Sequence, residues 1–150
     1  TAADVIARVR PDAAPAARRL LTRLLEHAED AEREPVLIHG DANLRNALLQ
    51  PDGTVALLDL EDLTYGPAAA DLGQVLATLI VNRTPHAARA LLGGYGDPPD
   101  EAALRWYTAA SLLARQALPA ISRHRPALLN RLRQLLDAGN ALLTPTQVLA

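Results

Sequence analysis

The chain has no cysteine, no methionine and no phenylalanine, and because all 15 of its cationic side chains are arginine it has no lysine. The missing cysteine excludes disulfides, thiol nucleophiles and zinc–thiolate sites, and it suits a reducing cytoplasm. The missing lysine removes the amine that grips ATP phosphates in protein kinases and P-loop enzymes, so a nucleotide site must use arginine or borrow that group. Aromatic residues make up only 3% of the chain, and the net charge is −2. With no basic–aromatic stripe, a nucleic-acid polymer is not the expected partner. No apolar run reaches the ~18 residues of a membrane span, and the start lacks a signal-peptide pattern.

What remains is an Ala-, Leu-, Val- and Ile-rich chain of 150 residues, 49% hydrophobic and 21% charged. That length and balance read as one soluble globular domain with a real core. Charge is uneven: residues 1–82 hold 13 acids against 7 Arg, and residues 83–150 hold 4 acids against 8 Arg. This reads either as ordinary solvated helix faces or as a C-terminal half facing a neutral or anionic partner.

The apolar spacing predicts a short helix over 2–9 and a longer one from Pro15 to about Arg33. The longer helix carries Leu20, Leu21, Leu24, Leu25 and Ala28 on one stripe, and the polar run Glu29–Glu34 with Pro35 stops it. Val36-Leu37-Ile38 reads as a buried strand. Asn46–Gln50 and Val55–Leu60 read as a hairpin about Pro51-Asp52-Gly53-Thr54, where proline sets φ and glycine accepts a positive φ. Further helices are expected from Pro67 to about Val81, from Thr84-Pro85 to a stop at Gly93-Gly94, and from Asp100 through Trp106, Leu112 and Leu113 with an interruption near Pro119. A last helix starts at Pro126 and carries Leu128, Leu129, Leu132, Leu135 and Leu136; the tail 144–150 is expected to be loose. The fold class is therefore α+β, mostly α, with a small β-hairpin.

Chemistry concentrates in residues 36–73. His39-Gly40-Asp41 leaves the first strand, Asn46 follows five residues after Asp41, and Asp59 ends a second apolar run. A hairpin would bring Asn46 and Asp59 to one end of adjacent strands. A carboxylate that orients an attacking hydroxyl, with an amide and a second carboxylate that hold Mg²⁺, is the residue set ATP-dependent phosphoryl transfer requires. Asp41 is the candidate base, and Asn46 and Asp59 are the candidate metal ligands. A carboxylate buried inside Val-Ala-Leu-Leu-Asp-Leu would be costly without a cation, which favours the metal role of Asp59. Arg45 reads as a surface arginine or as a contact to the transferring phosphate or acceptor. Glu61 and Asp62 read as solvated acids or as contacts to a second metal or its waters. A metallophosphatase is disfavoured, because four His are too few and none sits in a second motif.

His39-Gly40-Asp41-x-x-x-x-Asn46, then Leu57-Leu58-Asp59-Leu60-Glu61, then Gly66-Pro67 and Asp71-Leu72-Gly73, resembles the C-terminal lobe of the aminoglycoside phosphotransferase and choline kinase group, small-molecule relatives of the protein kinases. The Asp-to-Asn interval matches the kinase catalytic loop. The resemblance implies a protein-kinase-like C-terminal lobe over 1–150, with ATP as phosphoryl donor, Mg²⁺ as cofactor and a small-molecule hydroxyl as acceptor. It implies that His39 packs beneath the metal-binding aspartate, with Gly40 allowing the tight turn. It also implies that Asp71, otherwise a first-turn helix carboxylate, bonds backbone amides of the catalytic loop. Asn43 and Arg45 depart from the residues more usual in the family at those places, which bears on the acceptor. The net-positive C-terminal helices, with Arg105, Arg115, Arg123, Arg125, Arg131 and Arg133, favour a neutral or anionic acceptor over a polycationic aminoglycoside.

The family's β-rich nucleotide lobe, with its phosphate-covering loop and strand lysine, has no counterpart here. The residues before Val36 read as helix and hold no glycine. The expectation is a catalytic lobe whose N-terminal lobe lies elsewhere, in a longer protein or supplied through a homo-oligomer. A non-catalytic binding or regulatory remnant of the same fold is the alternative.

Overall fold

A computed structural model describes residues 1–31 and 34–144. Thr1 caps the first helix, α1 (Ala2–Val9), through a reciprocal pair of bonds with Asp4. Helix α2 (Ala14–Glu26) has Pro15 in its first turn and buries Ala16, Ala17, Leu20 and Leu24. It ends earlier than the expected Arg33, with His27 as C-cap and only a 3₁₀ turn at Ala28–Ala31. Glu29 and Asp30 would place negative charge at the negative end of the helix dipole, and no further apolar residue continues the stripe. The stripe is also narrower than expected, since Leu25 is 70% exposed.

Two small antiparallel sheets follow. Strand β1 (Val36–Ile38) pairs with β4 (Thr64–Gly66), Leu37 opposite Tyr65; β2 (Ala47–Leu49) pairs with β3 (Val55–Leu57), Leu48 opposite Ala56. The expected hairpin forms, but its strands are shorter. Leu44–Asn46 coils into a 3₁₀ turn, and Asp59 leaves the strand with φ +61°. Strand β1 is not buried as expected: Ile38 is buried, whereas Leu37 is 63% exposed. With three residues and one neighbour, only one face of β1 meets the helices. Strand β4 was not anticipated, because Thr-Tyr-Gly before a proline carries no periodicity.

Helix α3 (Ala68–Val81) starts after Pro67 and packs against α5 (Glu101–Ser111) at Gly73. A Cβ on Gly73 would lie 2.7 Å from the Tyr107 backbone, so glycine sets this close approach. Between them, α4 (Ala88–Tyr95) runs through Gly93-Gly94 and stops at Gly96, where φ is +90°. The helix thus stops later than the sequence reading, because the positive φ that ends it falls on Gly96. After α5 the chain widens into π register over Leu112–Ala117 and then resumes as α6 (Leu118–Ser122). Pro119 lacks the N–H that an α-helix would give to the Arg115 carbonyl, which accounts for the widening where an interruption was expected. The last helix is split into α7 (Pro126–Leu129) and α8 (Leu132–Leu142). Arg131 leaves helical backbone angles there, and its guanidinium donates to the Val81 carbonyl at 3.1 Å.

One core joins Ile6, Leu20, Leu24, Leu113, Leu132 and Leu136 across α1, α2, α8 and the π segment. A second joins Leu72, Leu76 and Leu79 of α3 to Leu104 of α5. The molecule is mostly helical, with the two sheets at the end where the His39–Asn46 loop emerges. No helix among the described residues is long and apolar enough to cross a membrane. The tail 145–150 lies outside the described residues.

Candidate functional site

The site starts where β1 ends. Asp71, in the first turn of α3, accepts the His39 backbone N–H on Oδ2 at 2.6 Å and the Gly40 N–H on Oδ1 at 3.1 Å. Two donors on one carboxylate hold the loop to the helix. Gly40 has φ +80°, and a Cβ there would fall 2.3 Å from the Asp62 carbonyl oxygen, so no other residue fits. The His39 ring is buried and Nε2 donates to the Leu58 carbonyl at 2.8 Å, directly before Asp59. That bond puts the proton on Nε2, and buried Nδ1 has no partner among the described residues.

Asp41 receives four side-chain donors. Gln74 Nε2 donates to Oδ1 at 2.8 Å and Arg115 Nη1 to the same oxygen at 3.3 Å. Asn43 Nδ2 donates to Oδ2 at 3.1 Å and Asn46 Nδ2 to Oδ2 at 3.3 Å. The Gln74 bond, together with the Arg115 charge and then the two asparagines, holds the Asp41 carboxyl below its ordinary range against the opposing effect of partial burial. It is an ionised acceptor at neutral pH, a weak base fixed in direction.

Asn46 also donates Nδ2 to the Asp41 carbonyl at 3.0 Å, and its Oδ1 meets no donor among the described residues. Asp59 is exposed and left-handed, and its carboxylate meets no donor among the described residues. The expectation that Asp59 is a buried carboxylate is therefore corrected. The hairpin is a two-stranded ribbon with exposed apolar side chains on both faces, Leu48 on one and Leu49, Val55 and Leu57 on the other, so the apolar residues around Asp59 do not enclose it. Asn46 and Asp59 are joined through the backbone, with Leu58 N–H donating to the Asn46 carbonyl at 2.8 Å. Among the described residues no three His, Asp or Glu side chains gather close enough to hold a metal by themselves. An amide oxygen and a free carboxylate at one hairpin end nevertheless match the donor chemistry of Mg²⁺, which keeps waters and phosphate oxygens for its remaining positions. Arg45 and Glu61 are exposed, and neither side chain bonds to Asp41, Asn46 or Asp59.

The sequence did not single out Gln74 and did not place Arg115 at Asp41. Gln74 is buried in an otherwise apolar turn of α3, and that isolated polar side chain was the available signal. Arg115 comes from the π segment; its Nη2 also donates to the Gly40 carbonyl at 3.2 Å. Of the other C-terminal arginines, Arg105 pairs with Glu101, Arg133 with Asp137, and Arg131 binds Val81. A cavity of about 200 Å³ is lined by Gly40, Asp71, Gln74, Trp106, Tyr107 and Arg115; Asp41 does not line it but bonds to two residues that do, Gln74 and Arg115. A larger one of about 890 Å³ lies further along α3 against α4, and none of Asp41, Asn46 or Asp59 lines it.

The model of the phosphotransferase enzyme family matches residues 1–107. No curated protein matches the chain.

Proposed function

We propose that this chain, which belongs to the phosphotransferase enzyme family, carries the acceptor-activating half of a site that moves the γ-phosphoryl group of ATP to a hydroxyl of a small molecule. The carrying observation is Asp41 itself, an ionised carboxylate aimed by Gln74 and tied to Asn46, whose partners Gln74 and Arg115 line a cavity. In this reading the acceptor hydroxyl donates to an Asp41 oxygen, its oxygen bonds to the γ-phosphorus as the bond to ADP breaks, and its proton passes to Asp41. A loose transition state asks for orientation more than early proton removal, so a carboxylate held below its usual range suffices. Asn46 Oδ1 and the Asp59 carboxylate would hold Mg²⁺, which neutralises charge on the phosphates. His39 and Asp71 position the loop, and the overall arrangement is read as the C-terminal lobe of a protein-kinase-like fold.

Phosphate gripping is proposed to come from outside these residues, from a nucleotide lobe or a second copy. The chain has no lysine, and the described residues before β1 form helices. The exposed apolar side chains of the two sheets, Leu37 and Tyr65 on one and Leu49, Val55 and Leu57 on the other, support the same reading, since large apolar side chains exposed in such number suit a covering partner. A neutral or anionic acceptor fits better than a polycation, because Arg115 lines the cavity, and its carboxylate Asp71 and the neighbouring Asp41 are already bonded. The proposed setting is the cytoplasm.

The absence of lysine also favours a second reading, a non-catalytic binding or regulatory remnant. Thermal unfolding of the natural full-length polypeptide with Mg²⁺, ATP or both separates the two, because a ligand that binds only the folded state raises Tm. The enzyme reading expects a shift that needs both ligands and is lost in Asp59→Asn; no shift, or one indifferent to Asp59→Asn, supports the remnant.

A further inference from the structure

Resting on that reading, we infer that the acceptor is a hydroxy acid, or another small alcohol with an anionic group, and that Arg115 reads the anion. A carboxylate offers about four lone-pair directions. On Asp41 four donors already stand in them: Gln74 and Arg115 on Oδ1, Asn43 and Asn46 on Oδ2. An incoming hydroxyl can be accepted only if one donor yields.

The four donors are not equally held. Asn43 and Asn46 each donate to the Asp41 carbonyl as well, which ties them into the loop. Gln74 is buried and makes the shortest of the four contacts. Arg115 also donates to the Gly40 carbonyl at 3.2 Å, but its side chain is 52% exposed and reaches in from another element, and its 3.3 Å contact is long for a bond between charged groups. It lines the same cavity and sits on a π segment, a register that commonly marks functional positions. Arg115 is thus the donor that leaves. A guanidinium moves from one carboxylate without loss only if another anion meets it, and a planar fork is suited to a carboxylate or phosphate. An acceptor that carries both groups supplies the anion to Arg115 and its hydroxyl to the vacated Asp41 oxygen. A neutral alcohol would have to displace Arg115 without replacing its partner. In the transfer itself, the hydroxyl oxygen bonds to the γ-phosphorus of ATP, the bond to ADP breaks, and the proton goes to Asp41.

Trp106 is the only tryptophan and lines this cavity, so its fluorescence reports occupancy. The probes are glycerate, 4-hydroxybutanoate and gluconate against glycerol, 1,4-butanediol and glucose, titrated without nucleotide. At least one acid is expected to give a saturable change that its neutral counterpart lacks. Arg115→Gln should weaken it roughly 10- to 100-fold, the range of one charge-assisted bond, with Arg115→Lys retaining part. Asp41→Asn, which frees Arg115, should tighten acid binding. The inference is overturned if the neutral compounds bind as well as the acids, if Arg115→Gln binds the acids unchanged, or if Asp41→Asn loses them. Phosphoryl transfer from Mg²⁺–ATP by the natural full-length polypeptide keeps the two proposals apart. Equal kcat/KM for glycerate and glycerol overturns this inference and leaves the phosphotransferase reading standing. Arg115-dependent acid binding with no transfer to any hydroxyl overturns the reading and leaves Arg115 as an anion-reading residue.

Discussion

Gln74, buried in the second turn of α3, donates to Asp41 at 2.8 Å and so sets the direction in which the loop carboxylate points. The same helix anchors the loop backbone through Asp71, so α3 fixes both the main chain and the side chain of the proposed base.

Replacing Gln74 with leucine removes the foremost cause that holds the Asp41 carboxyl below its ordinary range. Its pKa should rise, and ¹³C NMR of the Asp41 carboxyl would measure it. Because folding holds the Asp41 carboxyl below its ordinary range, Asp41 contributes stability that is present above the usual carboxylate range and lost as pH falls through the folded pKa. Gln74→Leu should therefore flatten the loss of stability below about pH 4. An unchanged carboxyl titration would disprove the role given to Gln74.

Two helical glycines should respond oppositely to alanine. At Gly73 a Cβ would lie 2.7 Å from Tyr107 backbone, and overpacking of this kind costs about 1–3 kcal/mol. At Gly93 a Cβ meets nothing within 4 Å, so Gly93→Ala should stabilise α4 by about 0.5–1 kcal/mol. Urea unfolding of the two variants reads both signs at once.

Asp71→Ala would strip the acceptor from the His39 and Gly40 amides. The expected loss is about 2–3 kcal/mol, in the range for bonds to a charged group. Hydrogen exchange should show the His39 and Gly40 amides losing protection before the α2–α8 core does. Uniform loss across both cores would mean that Asp71 supports the whole fold and not the loop alone.

At Asp59 backbone and charge can be separated. Asparagine tolerates its left-handed φ of +61°, whereas alanine adds a strain of about 1 kcal/mol. Asp59→Asn and Asp59→Ala should both lose any Mg²⁺–ATP shift, but only Asp59→Ala should lower stability without ligand. Equal ligand-free stability would contradict the strain argument.

The elements legible in the sequence were those with long periodicity or strong punctuation: α1, α3, the start of α5, and the hairpin about Pro51–Thr54. The β1–β4 pair was not legible, because three-residue strands carry no period and pairing across 26 residues leaves no local trace. Asp59 was misjudged for a related reason, since apolar neighbours imply burial only when something covers them. In the candidate site, His39, Gly40, Asp41 and Asn46 stand close in sequence and were read together. Gln74 and Arg115 reach Asp41 from 33 and 74 residues away, and only packing of α3 and the π segment brings them there.

The central claim is that Asp41 directs a hydroxyl toward ATP. Its most direct test is transfer of labelled γ-phosphate from Mg²⁺–ATP to the hydroxy-acid panel by the natural full-length polypeptide, wild type against Asp41→Asn. The account predicts transfer by the wild type and a loss of roughly 10²- to 10⁴-fold in kcat for Asp41→Asn, measured at a temperature where circular dichroism shows both proteins folded. Transfer that survives Asp41→Asn undiminished would contradict it.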